Sequence, residues 1–372
     1  MRRWLMLFVC LGVLGSVRVA GSVWVAAAQA ERVKAIPVIG AYPQIRLSPD
    51  GHTLAIFEMG IFYDGEIIPE LVPVRLFDLN TLQITATLNG PTDYANEVTF
   101  TSDGSRVMTY HDNGDMFIWD APTGSLINRV TALPLLSGRG FFYPDTSHYV
   151  MACQANLLLL CEWDTDNGSI LRLLRPQYAT RNEIAALFES GPAPTYIAFD
   201  LSDSGDRIAA ATSYGVIDIW DVATGEQVSL NVPTEFPLFN IMSLAFINND
   251  EQIVFYDADS ELIQVIDARN GSEVRSFSGG PTGSPTVALA ADGDHIAWVS
   301  GEPEAPIITV SSLTDADEPL VINLPVPEPL RASRRQMSMY FMPDGLTLVV
   351  GGFANQSGDS NDNLIFLVDV TR

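Results

Sequence analysis

The side chains best suited to chemistry fall in three stretches. Phe62, Tyr63, Asp64 and Glu66 set aromatic rings beside carboxylates; Asp359 and Asp362 lie in Asp359-Ser360-Asn361-Asp362-Asn363; His111 heads the turn His111-Asp112-Asn113-Gly114-Asp115. Such groups can hold a ligand through acceptor oxygens, ring faces and an imidazole, and these seven are the candidate binding residues. Residues 359–363 and Asp257-Ala258-Asp259-Ser260-Glu261 carry oxygens at alternate positions, as calcium loops do. Both lack the glycine and distant glutamate of an EF-hand, so solvated turns are the simpler reading. Beyond that faint calcium pattern no cofactor is expected. The chain has no G-x-S-x-G elbow, phosphate-cradling glycine loop or His/Cys zinc spacing, and no catalytic residue is assigned.

Whatever positions these groups must be built from a repeat. A turn signal recurs seven times: Ser48-Pro49-Asp50-Gly51, Ser102-Asp103-Gly104, Pro144-Asp145-Thr146-Ser147, Ser202-Asp203-Ser204-Gly205, Asn248-Asn249-Asp250, Ala291-Asp292-Gly293 and Pro343-Asp344-Gly345. Asp bonds nearby backbone N–H groups and Gly takes a positive φ, so the pair closes a tight turn. An apolar, strand-like run follows each one, as in Thr53-Leu54-Ala55-Ile56-Phe57. His52, His148 and His295 all stand at the start of that second strand, a shared register that argues for framework.

A second signal closes most third strands: Phe77-Asp78, Trp119-Asp120, Trp163-Asp164, Trp220-Asp221, Ile266-Asp267 and Val368-Asp369. Residues 120–124 and 221–225 are near copies, Asp-Ala-Pro-Thr-Gly and Asp-Val-Ala-Thr-Gly. The plainest unit, Thr195 to Val232, reads as four strands joined by three turns. These motifs together resemble the WD40-repeat β-propellers across residues 33 to 372. The resemblance implies an all-β fold, a seven-bladed propeller of four-stranded antiparallel blades. In it Asp50, Asp103, Asp203, Asp292 and Asp344 would be turn residues, and Trp119-Asp120, Trp163-Asp164 and Trp220-Asp221 the blade motif. The Gly-His dipeptide that usually precedes the first strand in that family is missing from all seven units. The family's buried His–Ser/Thr–Trp network is therefore expected to be incomplete in every blade.

The last unit runs out of chain after three strands. Val33-Lys34-Ala35-Ile36-Pro37-Val38 is a spare strand that can complete it, closing the ring and hiding an edge. Ahead of it, Arg2 and Arg3, the apolar run Trp4 to Val17 and Ala28-Gln29-Ala30 read as an export signal over residues 1–30, with an uncleaved membrane anchor as the alternative. The expectation is a single propeller over 31–372, secreted or in the extracytoplasmic envelope. Without the leader the chain has 17 basic and 45 acidic residues, a net of −28. Such charge disfavours nucleic acid and anionic membrane surfaces and suits a basic protein partner. Membrane contact is expected only if the leader is retained.

Cys153 and Cys161 remain beside Cys10 of the leader. A hairpin turn at Gln154-Ala155-Asn156 would set Cys161 about four residues beyond the position facing Cys153, out of disulfide reach, so two free thiols are expected.

In a propeller the link between second and third strands and the link to the next blade share one face, called here the upper face. The irregular segments fall there: Glu58 to Leu71, Phe353 to Asn363, and Arg175 to Pro194, where Thr180-Arg181-Asn182-Glu183 resembles a capping box ahead of a short helix. Ring closure would bring the first two together as an aromatic and acidic patch. Arg331, Arg334 and Arg335, the one basic cluster, could dock against those acidic loops or hold an anionic ligand, the first being the simpler reading. The function expected is a non-enzymatic binding scaffold. The alternatives are a lactonase-like or hydrolase-like propeller enzyme with upper-face carboxylates, and a purely structural envelope component.

Overall fold

The computed structural model describes residues 32–371 apart from 39–42, 59–61, 64–65, 68–72, 132–139, 145–146, 153–158, 177–195, 203, 214, 232–240, 258–259, 279–285, 291–292, 303, 314–317, 329, 333–336 and 356–362. Its strands assemble into seven blades. Blade one is Pro43–Leu47, Thr53–Glu58, Val74–Asp78 and Gln83–Leu88. Blade two is Ala95–Phe100, Arg106–His111, Met116–Asp120 and Leu126–Val130. Blade three is Gly140–Phe142, His148–Ala152, Leu160–Asp164 and Ile170–Leu174; blade four is Tyr196–Leu201, Arg207–Thr212, Ile217–Asp221 and Gln227–Asn231. Blade five is Ile241–Ile247, Gln252–Asp257, Leu262–Asp267 and Glu273–Ser278; blade six is Val287–Leu289, His295–Glu302, Ala305–Ser312 and Leu320–Asn323. Blade seven takes Ser338–Phe341, Thr347–Asn355 and Asn363–Asp369 from the C-terminus and Val33–Val38 as its outer strand. Val33 lies opposite Val368 and Val38 opposite Asn363, so the two ends of the chain close the ring as expected.

Sequence pattern and packing agree in detail. Seven apolar clusters form, and each lies between two neighbouring blades, the last joining Ile36, Val38, Val349 and Ile365 of blade seven to Ile45, Leu54 and Ile56 of blade one. A second strand is thus buried on both faces, which is why it reads as an unbroken apolar run rather than an alternating one. In Arg207–Thr212, Ile208 and Ala210 face blade three while Ala209 and Ala211 face blade five. Inner strands touch their neighbours all the way round, blade seven against blade one included.

The recurring aspartates act as the turn chemistry requires. Asp50 accepts from the Ser48 hydroxyl at 2.6 Å and the His52 amide at 3.0 Å; Asp103 and Asp344 do the same in their own turns, and Asp203 and Asp292 lie outside the described residues. After each Trp-Asp the carboxylate caps the next turn: Asp120 accepts from the Thr123 amide at 3.0 Å, Asp164 from the Asp166 amide at 2.8 Å, and Asp221 from the Thr224 amide and hydroxyl, both at 2.8 Å. The glycine that follows is required on two counts. Gly124 has φ +67°, and a Cβ there would meet Ala86 Cβ of blade one at 2.6 Å.

These bonds lower the Asp221 pKa, the Thr224 amide most and its hydroxyl next. A carboxylate depressed in the folded state contributes stability above its unfolded pKa of about 4, and the contribution is lost as pH falls through the folded value. Asp221→Asn is therefore expected to lower the urea midpoint at neutral pH, with the gap to the parent closing as pH drops below the ordinary carboxylate range. A gap that stayed constant with pH would show that the charge is irrelevant to this turn.

The free-thiol expectation is overturned, because Cys161 is disulfide-bonded. The error lay in the turn. Met151 stands opposite Cys161 and Ala152 opposite Leu160, which centres the hairpin on residue 156 instead of 155 and halves the offset assumed between positions 153 and 161. Cys153 itself, the expected helix near residues 184–188, and Arg334 and Arg335 lie outside the described residues. The backbone of Arg331 pairs with Ala354, stitching the link into blade seven onto its second strand.

Candidate functional site on the upper face

Blade one departs most from the common plan. Its second and third strands are separated by residues 59–73, whereas blades two, four, five and six link the same strands through 112–115, 213–216, 258–261 and 303–304. Within the long link Phe62–Tyr63 pairs with Glu66–Ile67, Phe62 opposite Ile67 and Tyr63 opposite Glu66. That register leaves Asp64-Gly65 as the two connecting residues, the dipeptide that best suits a two-residue hairpin. The Asp-Gly pair was the signal available in the sequence. For Phe62, Tyr63 and Glu66 only the backbone is described, and Asp64, Asp359 and Asp362 lie outside the described residues.

Where the second strand of blade one leads into this link stands a group of acids and phenols, of which the sequence motifs marked only Asp112. Glu58 ends the second strand of blade one and is 4% exposed. The Tyr94 phenol is raised in pKa by burial, then by the Glu58 and Asp93 carboxylates, and the Tyr110 phenol by burial, then by Asp112. Asn96 donates to the Asp112 carboxylate, and the Asp112 amide donates to the Tyr94 carbonyl at 3.2 Å. Phenols held protonated donate and carboxylates accept, so the upper seam of blades one and two can receive a cationic group and orient it by hydrogen bonds. Among the described residues no three His, Cys, Asp or Glu side chains converge as a metal site, and no helix is long and apolar enough to cross a membrane.

His111 belongs to the core, contrary to the expected solvent-facing turn. It is 2% exposed, with Nδ1 2.8 Å from the Asp93 carbonyl and Nε2 2.9 Å from Thr109 Oγ1, while Trp119 Nε1 donates to the same hydroxyl at 3.0 Å. Since Asp93 offers only a carbonyl, Nδ1 carries the proton, Nε2 accepts from Thr109, and the chain runs Trp119 to Thr109 to His111 to Asp93. Burial lowers the His111 pKa, against the opposing pull of Asp93, and keeps the ring neutral. A His–Thr–Trp network is thus complete in blade two, with the histidine on the second strand itself. This corrects the expectation that no blade would have one.

Register shows why the other two tryptophans differ. Thr109 faces Phe117; the equivalent positions are Met151, facing Cys161, and Ala210, facing Asp218. Alanine has no acceptor and the methionine sulfur is a weak one, and the Trp163 and Trp220 indole nitrogens are buried with no hydrogen-bond partner. Ala210→Ser is expected to give Trp220 an acceptor and raise stability by about 1 kcal/mol, while Thr109→Val strands two buried groups and costs about 2–3 kcal/mol. Chemical denaturation of the two variants checks both signs; a loss on Ala210→Ser would contradict the assigned equivalence.

No family model matches the chain, and no curated protein matches it. Solved structures do. The crystal structure of the Myceliophteria thermophila Cps50 (Swd1) β-propeller domain superposes with a TM-score of 0.66 at 15% identity, covering 91% of this chain and 99% of that one. At such identity the likeness concerns the fold. Blade count, closure by the N-terminal strand and this superposition together identify the fold as a seven-bladed β-propeller.

Proposed function

We propose that the chain is exported and serves as a non-enzymatic scaffold that binds a protein partner, basic at the point of contact, through its upper face. The observation that carries this reading is the hairpin of Phe62–Tyr63 and Glu66–Ile67, in a link where four other blades have short turns and which leaves the strand ending at Glu58, whose carboxylate acts on the Tyr94 phenol. Rigid propeller walls fix such a loop at little entropic cost, and a net charge of −25 steers a basic partner toward it. Export is supported by the Arg2-Arg3 leader and by the disulfide at Cys161, a bond that persists in oxidising compartments. Mass analysis of the exported protein under non-reducing conditions is expected to show a start near Glu31 and one intrachain disulfide. Retained leader sequence or two free thiols would count against export with cleavage.

The binding reading is tested by capture from the envelope fraction with the exported chain and with a variant whose residues 59–72 are replaced by a short Gly-Ser link, each with and without calcium. The partner is expected to be held by the parent, lost from the variant and released by salt. Equal capture by both would overturn the role of the hairpin.

A further inference from the structure

Among the described residues no strand pairs with the far edge of any blade's outer strand, and such an edge invites pairing unless it is blunted. Outer strands differ in their protection: Leu126–Val130 carries Arg129, whereas Leu320–Asn323, Gln83–Leu88 and Gln227–Asn231 carry neither charge nor proline. Val33–Val38 includes Lys34 and Pro37, Glu273–Ser278 includes Glu273 and Arg275, and Gln83–Leu88 and Gln227–Asn231 each open on glutamine. Among the described residues the outer strand of blade three exposes the most large aliphatic side chains. It reads Ile170-Leu171-Arg172-Leu173-Leu174, and Ile170, Leu171 and Leu173 are 39 to 50% exposed. Its only charged side chain is turned inward: Arg172 Nε donates to Glu162 at 2.8 Å and a terminal nitrogen donates to the Val222 carbonyl at 2.7 Å. On blade two next to it, Leu126 and Ile127 are also exposed, so five aliphatic side chains share one stretch of the rim. Asn128 ties that strand to the Thr165 and Asp166 carbonyls, both at 2.8 Å, in the turn that leads into the outer strand of blade three.

Charge distinguishes this stretch as well. Residues 126–175, which hold both strands, contain Arg129, Arg139, Arg172 and Arg175 against Asp145, Glu162, Asp164 and Asp166, and so are neutral within a chain of net −25. Two copies of so acidic a protein repel one another over most orientations, and the repulsion is least where the facing surfaces are neutral.

We propose that the outer strand of blade three is a self-association edge, where a second copy of this chain pairs its own Ile170–Leu174 antiparallel across a two-fold axis. An isologous contact sets the same aliphatic strand on both sides, extends the four-stranded blade into an eight-stranded sheet, and leaves both upper faces open. Each Arg172 is held within its own chain by Glu162 and the Val222 carbonyl. This inference stands apart from the upper-face reading and survives its failure.

Sedimentation of the exported chain over a concentration series tests it. The expected result is a mass rising to twice that of the chain, held at monomer by Leu171→Lys and unchanged by Val228→Lys, an equally exposed aliphatic on the outer strand of blade four. Leu171 projects from an exposed edge, and the parent protein alone already decides whether a dimer forms. A monomer at every soluble concentration, a dimer indifferent to Leu171→Lys, or a different protein held at this edge while the chain itself stays monomeric would each overturn the proposal.

Discussion

Arg46→Met is expected to lower the stability of the propeller by about 3–5 kcal/mol, among the largest effects of any single side chain outside the apolar seams. Arg46 lies on the inner strand of blade one and binds three blades at once. Its Nε donates to the Val98 carbonyl at 2.8 Å, one terminal nitrogen donates to the Glu97 carboxylate and the other to the Tyr340 hydroxyl at 2.5 Å, with the guanidinium also over the Tyr340 ring. Burial alone would push its pKa down, but Glu97 and the phenols of Tyr340 and Tyr149 outweigh it and the pKa is raised. Methionine would keep much of the volume and leave the Glu97 carboxylate buried without its cation. The seam of blades seven and one lies beside the ring closure, where Val33–Val38 is held to Asn363–Asp369 by strand pairing alone before the chain runs on into blade one. Urea denaturation is therefore expected to show the loss, and hydrogen exchange to show it first at that seam. The double variant Arg46→Met with Glu97→Leu is expected to recover most of it, because removing both charges removes the desolvation penalty. A cost below 1 kcal/mol for the single variant would show that the pair is no more than a solvent-screened surface contact.

Gly140→Ala and Tyr149→Phe are expected to act in opposite directions although their atoms nearly touch. A Cβ on Gly140 would stand 1.9 Å from the Tyr149 hydroxyl oxygen and 2.2 Å from the ring carbon bearing it. The ring is wholly buried in the seam between blades two and three, edge-on to Phe142 at 5.1 Å, and has no room to withdraw. Alanine must expel it, at about the 3–5 kcal/mol of losing a large aromatic from a core. The Tyr149 hydroxyl is itself buried with no hydrogen-bond partner. Tyr149→Phe removes an unsatisfied polar atom and is expected to be neutral or to stabilise by about 1 kcal/mol. Thermal and chemical denaturation of both variants decide the matter. A destabilised Tyr149→Phe would reveal an ordered water on the hydroxyl, and a tolerated Gly140→Ala would mean that the inner strand of blade three can shift.

The scaffold was legible because its signals are local and repeated. Asp-Gly turns, Trp-Asp strand ends and runs such as Ile208 to Thr212 follow from backbone geometry and from burial on both faces, and seven copies make each one hard to miss. What escaped depended on register. His111 looked exposed because it precedes Asp112-Asn113-Gly114, yet it closes the second strand, opposite Ala95, and its ring turns back onto Thr109. The register around Cys161 was displaced by one residue at the hairpin centre, which changes the facing partner by two and halves the separation expected from position 153. Glu58, Asp93 and Tyr94 gave no motif at all; they belong to two blades, and only ring geometry brings them together. Asp-Gly at 64–65 was a readable hairpin signal, submerged in a segment whose acidic and aromatic composition drew attention first.

The central claim is that a partner is held on the upper face. Its most direct test is photo-crosslinking in the envelope fraction, with the reactive residue placed either at Asn113, in the exposed upper turn of blade two, or at Ala223, in an exposed turn on the opposite face. The account predicts a crosslinked basic protein from position 113 and none from position 223, with the product abolished when residues 59–72 are shortened. Crosslinking from position 223 alone, or equally from both, would contradict it.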